Sequence, residues 1–586
     1  MDTFALDIIN KHLPTHFTKH SASLLDFFIV VRGNADSCIS FNQVSIPGIS
    51  SHDLIYCSYC FENNICNEYI TYRNFSDVDI QGIKMDTLAL PWDNIYFTPY
   101  IDNKLTILNE YILMLLDKHA PIKERVIKHN ECPWFNPTIK RTILDRDLSY
   151  QVWKRCPGDE NRKLYVKLRN YVTKLKRNSK RAYAHSRLSM RLPLSKLWRN
   201  MKNIGMVGMD SVDYGAFTAD DFNNFFTANR NSVHVSNFVE EVGGLDNGFS
   251  FHNVSAYDVL TAINSLKSYS LGLDGLPLKF VKLIIPYIIP YLTNIFNTVL
   301  TTSYFPKIWK LSKIVPLPKK SQSVNLCDYR PISILSTLAK ALESIMKSQI
   351  CVHLDSGCLL SSFQSGFRAL HSTTTALLKV THDIRRNFER DFLSILVLLD
   401  FSKAFDTVNC DILCYKLKTF FKFSTAAVLL INSYLTDRRQ MVVINNNYSQ
   451  NVPVLLGVPQ GSVLGPLLFS MFINDFPNIL SGSSCHMFAD DVQIYRSCSM
   501  TDIGSCVSLM NEELARVSSW ALENGLELNG DKSRVMVVYR KFVDTTSFPR
   551  LAINSVDIPY SVSMKNLGII MNPTLTWGDD VNVIIR

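Results

Sequence analysis

SILVLLDFSKAFDTV (residues 394–408) and CHMFADDVQIY (residues 485–495) decide the fold. The first is a continuous apolar run that ends abruptly on Asp400, the pattern of a buried central strand with a carboxylate at its mouth. The second is two short apolar runs joined by Asp490 and Asp491, the form of a β-hairpin with an acidic tip. Laid side by side, strand and hairpin bring three carboxylates together. Like charges a few ångströms apart raise one another's pKa values and are unfavourable unless cations sit among them. The pattern therefore asks for two Mg²⁺ ions, with Mn²⁺ as the alternative, held by Asp400 and Asp490 with Asp491 in support, as in two-metal phosphoryl transfer.

An adjacent pair of acids is by itself a common solvated turn, so the company matters. Residues 452–479 read VPVLLGVPQGSVLGPLLFSMFINDFPNI, a Gly/Pro loop leading into an apolar helix, in which Gly457, Pro459 and Gly461 let backbone approach a nucleotide closely. LDFSKAFDTV, GVPQGSVLGPLLFSMFINDFP and FADDVQIY resemble the palm motifs of jockey-type non-LTR retrotransposon reverse transcriptases. Similar blocks flank them in family order: SLGLDGLPLKFVK from Ser270, WKLSKIVPLPKK from Trp309, DYRPISILSTLAKALESIM from Asp328, SSFQSGFRALHSTTTALL from Ser361, WALENGLELNGDKSRVM from Trp520 and KNLGIIM from Lys565.

The resemblance implies an RNA-directed DNA polymerase that takes an RNA template, a DNA primer and dNTPs. Position by position, it puts Lys319, Lys320 and Arg330 in the fingers, where cations meet the incoming triphosphate. Phe405, five residues after Asp400, matches the aromatic that stacks under the sugar and excludes a 2′-hydroxyl. Gln460 and Gly461 match the nucleotide-contacting loop, and Lys532 the lysine that can protonate the leaving pyrophosphate. Leu567 and Gly568 match the turn that grips the primer end. Gly530 departs from the family, which usually has Pro there.

LLDFFIV and PGISSHDLI near the N-terminus resemble the last strands of the same elements' apurinic-type endonuclease. There a His near the scissile phosphate is oriented by an Asp, roles that fall to His52 and Asp26. Ser51 stands where that family has Asp, and the earlier metal-binding Glu and Asn segments do not fit into 25 residues, so no endonuclease activity is expected.

The chain has 586 residues, 47% hydrophobic content and a net charge of +9, enough for several buried cores. Residues 121–200 carry 21 Lys and Arg against 6 Asp and Glu, a clustering suited to phosphates. Tyr150, Trp153, Tyr165, Tyr171 and Tyr183 interleave with those cations and suit base stacking. The fourteen Cys form no repeating framework; Cys57, Cys60 and Cys66 read as small buried residues rather than zinc ligands. Residues 24–31 read as a strand and are too short to span a bilayer. Residues 283–300 are interrupted by Pro286, Pro290, Asn294 and Asn297 and read as a buried helix, so no membrane anchor is implied. The expected location is intracellular, nuclear or cytoplasmic, without secretion.

The expected fold is α/β (α+β): a right-hand polymerase palm and fingers, with an antiparallel sheet backed by helices. Residues 1–75 read as the endonuclease remnant, 76–250 as a basic helical linker with a Gly/Asn-rich stretch from 205 to 248, and 251–299 as the start of the fingers. Residues 300–572 read as the reverse-transcriptase domain and 573–586 as the start of a thumb. Two other readings share these features: a catalytically idle nucleic-acid-binding fragment, and a palm enzyme that makes RNA or cyclic nucleotides. Phe405 and the fingers cations weigh against the latter.

Overall fold

The computed structural model describes residues 6–8, 13–18, 21–26, 29–31, 38–45, 50, 52–59, 69–75, 77–126, 133–189, 192–204, 214–228, 248–268, 270–320 and 323–585. Cys60 and Cys66 lie outside them. The chain forms two compact units, Met1–Tyr72 with Lys123–Tyr183, and Arg73–Ile122 with Ala184–Arg586.

In the first unit the strands Cys38–Val44 and Leu54–Tyr59 pair antiparallel. Residues 24–31 do not form the single strand expected. Thr15 Oγ1 accepts the backbone N–H groups of Leu25 and Asp26 at 3.1 and 3.0 Å, so a side chain takes the donors that a strand partner would use; Ile29–Val31 pairs with Leu6–Ile8. Two long helices follow, Pro137–Arg155 and Asp159–Arg187. Asn136 starts the first by accepting the N–H of Ile139, with Pro137 in the first turn. Tyr150, Trp153 and Tyr165 pack on one another with ring centroids 5.2–6.0 Å apart. Those three rings close the helical hairpin instead of standing free for bases, because these helices have little else to bury.

Early in the second unit lies α1 (Ile101–His119), whose apolar stripe Leu105, Leu108, Ile112, Leu115 and Leu116 is buried. The basic-linker reading of 76–250 does not describe this part. Residues 73–122 join the same core as the strand and hairpin that carry the acids, because a stripe at helical spacing must be covered. The stretch 205–248 likewise contains α2 (Ala219–Thr227), opened by a reciprocal capping box between Thr218 and Asp221. Next comes α3 (Leu278–Thr302), with Pro286 and Pro290 inside it. Each interior proline costs about 3 kcal/mol, but eleven buried apolar side chains contribute about 1.5–3 kcal/mol each, and the helix runs on. It is long and apolar enough to cross a membrane; its packing is that of a core helix.

The two larger sheets of the unit position the site. In one, β1 (Leu311–Pro318) pairs antiparallel with β2 (Tyr329–Ile334) and parallel with β4 (Arg438–Ile444). In the other, β3 (Leu393–Leu399) lies between β6 (Asp491–Cys498) and β7 (Arg534–Val538), with β5 (Ser484–Phe488) outside β6, all antiparallel. The continuous apolar run of β3 has a simple cause: both faces are covered. Ile395, Val397 and Leu399 face the main core, which includes α4 (Thr337–Ser356) and α7 (Ile503–Glu523). Leu396 faces a second cluster with Leu377, Val380 and Ile384 of α5 (Thr373–Phe388).

Helix α2 seals the outer sheet. Phe222 and Phe226 pack with Ile314, Tyr329, Val442 and Ile444. Asn223 donates to Ser449 Oγ and the Gln450 carbonyl and accepts from Gln440 Nε2. Phe222 is fully buried, so Phe222→Ala should cost about 3–5 kcal/mol in chemical denaturation, whereas Tyr257→Ala, at a 74% exposed position, should stay within about 0.5 kcal/mol.

Candidate active site

Register places the acids. Leu399 pairs with Val492 and Phe488 with Asp491, so Asp400, one residue past β3, and Asp491, one residue before Val492, share one sheet edge; Ala489 and Asp490 form the two-residue hairpin turn. Their charges are felt mutually. Burial, then the charges of Asp490 and Asp400, push the Asp491 carboxyl up to about 6. Burial also raises Asp490, with the Asp400 charge adding to it and Arg330 opposing it. Asp400 is raised by burial, against the pull of Lys532, Lys319 and Arg534. Among the described residues no three His, Cys, Asp or Glu side chains are close enough to cage an ion by themselves. That differs from the compact three-ligand site expected, and electrostatics gives the reason: bare carboxylates repel. Mg²⁺ in phosphate enzymes is commonly held by only one or two carboxylates, with substrate phosphates and water completing the octahedron. The hard oxygen donors at this edge fit such an ion.

Two side chains fix the backbone around these acids. Asn529 N donates to the Asp400 carbonyl at 2.9 Å, Asp400 N donates to Ser533 Oγ at 3.2 Å, and Lys532 N donates to Asn529 Oδ1 at 3.1 Å. The 529–533 turn therefore docks on Asp400 and brings the Lys532 charge to it. A Cβ at Gly530 would meet Val556 Cβ at 3.3 Å, so this position is tight for anything larger.

At the hairpin, Ala489 takes the left-handed conformation, φ 58°, at a cost of roughly 1–2 kcal/mol. Gln364, fully buried, compensates: its Oε1 accepts the N–H of Ala489 at 3.1 Å and that of Gly366 at 2.7 Å. Residues 363–365 run along β5, with Met487 N donating to Phe363 O and Ser365 N to Met487 O. A side chain at Gly366 would put its Cβ 2.2 Å from Ala489 N. The FQSGF string marked this segment in sequence, but Gln364 was not singled out; an amide that supports a turn more than 120 positions away leaves no local pattern.

The cations divide. Lys319 donates to the Cys327 carbonyl at 2.7 Å, and burial, then the Lys532 and Arg330 charges, lower its pKa. Lys319, Arg330 and Lys532 thus share one field facing the acids, joined by Arg534, which the sequence reading did not include. Lys320 instead points to Asp328 at 3.4 Å and is 71% exposed.

The GVPQG loop is clamped on two sides. Gly457 (φ 92°) lies where a Cβ would be 2.7 Å from Asp406 backbone, and Gly461 (φ 109°) where it would be 2.6 Å from the Ser333 carbonyl. Both positions need glycine. Ser333 N donates to Gln460 O at 2.6 Å, and Gln460 Nε2 donates to Asp406 Oδ1 at 2.8 Å. Phe405 stacks on Phe469 (4.3 Å, 23°) with Phe367 edge-on at 6.1 Å, and is half-buried. Lys403 sits 4.2 Å over the Phe225 ring of α2.

Leu567 (φ 46°) and Gly568 (φ 95°) form the turn between Met564–Asn566 and Ile569–Met571. Asn566 Nδ2 donates to Gln493 Oε1 at 2.8 Å, tying that hairpin to β6. In the other unit His52 Nδ1 and Asp26 Oδ2 lie 2.8 Å apart, each 42% exposed, and the hydrogen bonds from His52 and Thr15 lower the Asp26 pKa.

The family described as "Reverse transcriptase (RNA-dependent DNA polymerase)" matches residues 317–571. The matched segment has mixed helices and sheets, and a jockey element is among the relatives it resembles. The chain is 31% identical over 341 residues to a probable RNA-directed DNA polymerase from transposon BS of Drosophila melanogaster, covering 56% of this chain and 37% of that protein. It is 29% identical over 321 residues to the RNA-directed DNA polymerase from mobile element jockey of the same fly, covering 53% and 34%. The chain thus spans about a third of the length of the curated relatives it matches. Among solved structures, apo telomerase from Candida tropicalis aligns at a TM-score of 0.32 and 13% identity, covering 46% of this chain and 54% of that one.

Gln364→Leu keeps the volume and removes the acceptor. It should cost about 1–3 kcal/mol and speed amide hydrogen exchange at Ala489; unchanged exchange there would show that the turn holds without Gln364.

Proposed function

We propose that this chain extends a DNA primer on an RNA template, adding deoxynucleotides to the 3′-hydroxyl. The observation that carries the reading is the shared edge of Asp400, Asp490 and Asp491, all raised by burial and the last two also by their acidic neighbours, opposite Lys319, Arg330 and Lys532. Acids on one side and cations on the other suit a group that arrives as a metal-bound polyphosphate. In this reading the four-stranded sheet is the palm and the β1–β2–β4 sheet the fingers.

Asp400 and Asp490, with Asp491 in support, would hold two Mg²⁺. Such ions supply charge stabilisation to the attacking and leaving oxygens. The chain's own residues do the rest. Lys319 and Arg330 bind the triphosphate, with Lys320 at the exposed rim. Gln460 and Gly461 present the loop against which the nucleotide lies. Lys532, docked beside Asp400, is placed to give a proton to the departing pyrophosphate. Phe405, rigid on Phe469, blocks a 2′-hydroxyl, and the Leu567–Gly568 turn supports the primer end. The basic helices of residues 121–200 add affinity for nucleic-acid backbone. Asp26 and His52 are read as the His–Asp pair of an endonuclease-type fold. An intracellular setting, nuclear or cytoplasmic, belongs to this reading.

Extension of oligo(dT) on poly(rA) with dTTP and Mg²⁺ tests it. Asp490→Asn should lower incorporation by ~100-fold or more, since several kcal/mol of charge stabilisation are lost; equal incorporation by both proteins would sink the assignment. Phe405→Ala should leave dNTP incorporation measurable and reduce discrimination against ribonucleotides ~10-fold to ~100-fold, read by rNTP competition. Unchanged discrimination would make Phe405 a packing residue only.

A further inference from the structure

Glu343 on α4 is completely buried, and a charge in that position must be satisfied or it would not be tolerated. Its Oε2 accepts the backbone N–H groups of Val463 at 2.6 Å and Leu464 at 3.2 Å. These residues follow Gln460 and Gly461 and lead into α6 (Gly465–Phe472). Burial raises the carboxyl's pKa, and Arg438 on β4 is the largest opposing influence. Arg438 is 3% exposed; one of its nitrogens donates to the Tyr434 carbonyl at 2.8 Å and Nη2 has no partner. The guanidinium lines a cavity of about 50 Å³ with Ser333, Asp406, Gly457 and Gln460, directly behind the loop.

A buried charged group is poor evidence of added stability, because apolar residues of similar volume often do as well or better. What the Glu343 carboxyl does that an apolar residue cannot is fix backbone. Ser333 and Asp406 hold the loop at Gln460; Glu343 holds it three residues later. We propose that Glu343 is a positioning residue for the incoming nucleotide, acting through residues 460–464 and touching no substrate itself. The proposal rests on the polymerase reading above.

The test compares the full chain with Glu343→Gln, nearly identical in shape, in steady-state extension on poly(rA)/oligo(dT). KM for dTTP should rise about tenfold, the size expected for weakening hydrogen bonds to a charged group, with kcat within about twofold. Amide exchange should accelerate at residues 460–464 and stay unchanged at 485–495. An unchanged KM, or exchange that rises uniformly, overturns the proposal and leaves Glu343 a structural group. Should Glu343→Gln not fold, Arg438→Met removes the counter-charge from the other side and must raise KM in the same direction; an unchanged KM there overturns it as well. If the unmodified chain incorporates no dTTP, the polymerase reading fails on its own, and the exchange pattern alone decides whether Glu343 anchors the loop.

Discussion

Strand β3 and the way it is gripped are what the rest of the structure depends on. It is buried on both faces and hydrogen-bonded on both edges, to β6 and to β7. A strand in that position has almost no freedom to slip, because a shift of one residue would exchange the side chains facing its two cores. The register Leu399↔Val492 is therefore rigid. It forces Asp400 beside the Asp490–Asp491 turn despite the repulsion among them.

That repulsion is an energetic cost held in place by packing, and the surroundings reduce it only in part. Lys532, Lys319 and Arg534 pull the Asp400 pKa down while burial pushes it up, and burial is the larger influence. The edge is left short of positive charge. A site in this condition gains most when cations and an anionic substrate arrive together, since each reduces the cost of the other. The same unfavourable electrostatics that would destabilise an isolated domain is what the proposed binding of a metal-bound polyphosphate would relieve.

The parts of this arrangement visible in the sequence were those with a local signature. Apolar runs ending in acids gave β3, the hairpin and their carboxylates, and the glycines of the GVPQG loop foretold close backbone approach, met at Gly457 and Gly461. Composition misled where burial and charge act on the same segment. Residues 101–119 lie beside a basic stretch but carry an apolar stripe, and they belong to the core. Tyr150, Trp153 and Tyr165 interleave with cations, yet they pack on one another.

What left no trace in the sequence is the set of polar side chains that reach distant backbone: Gln364 to Ala489, Glu343 to Val463 and Leu464, Ser533 to Asp400, Asn223 to Gln450. Each joins segments 100 or more residues apart, and each ends on a turn or loop whose backbone groups have no regular partner. Helices and strands satisfy their own N–H groups; a functional loop brought close to substrate does not, and the unmet donors must be answered from elsewhere in the fold. The residues that answer them are buried Gln, Glu, Ser and Asn, which a reading by hydropathy scores as surface. Polar residues inside an apolar helix or beside an apolar strand are therefore the places where the fold holds its working loops in position.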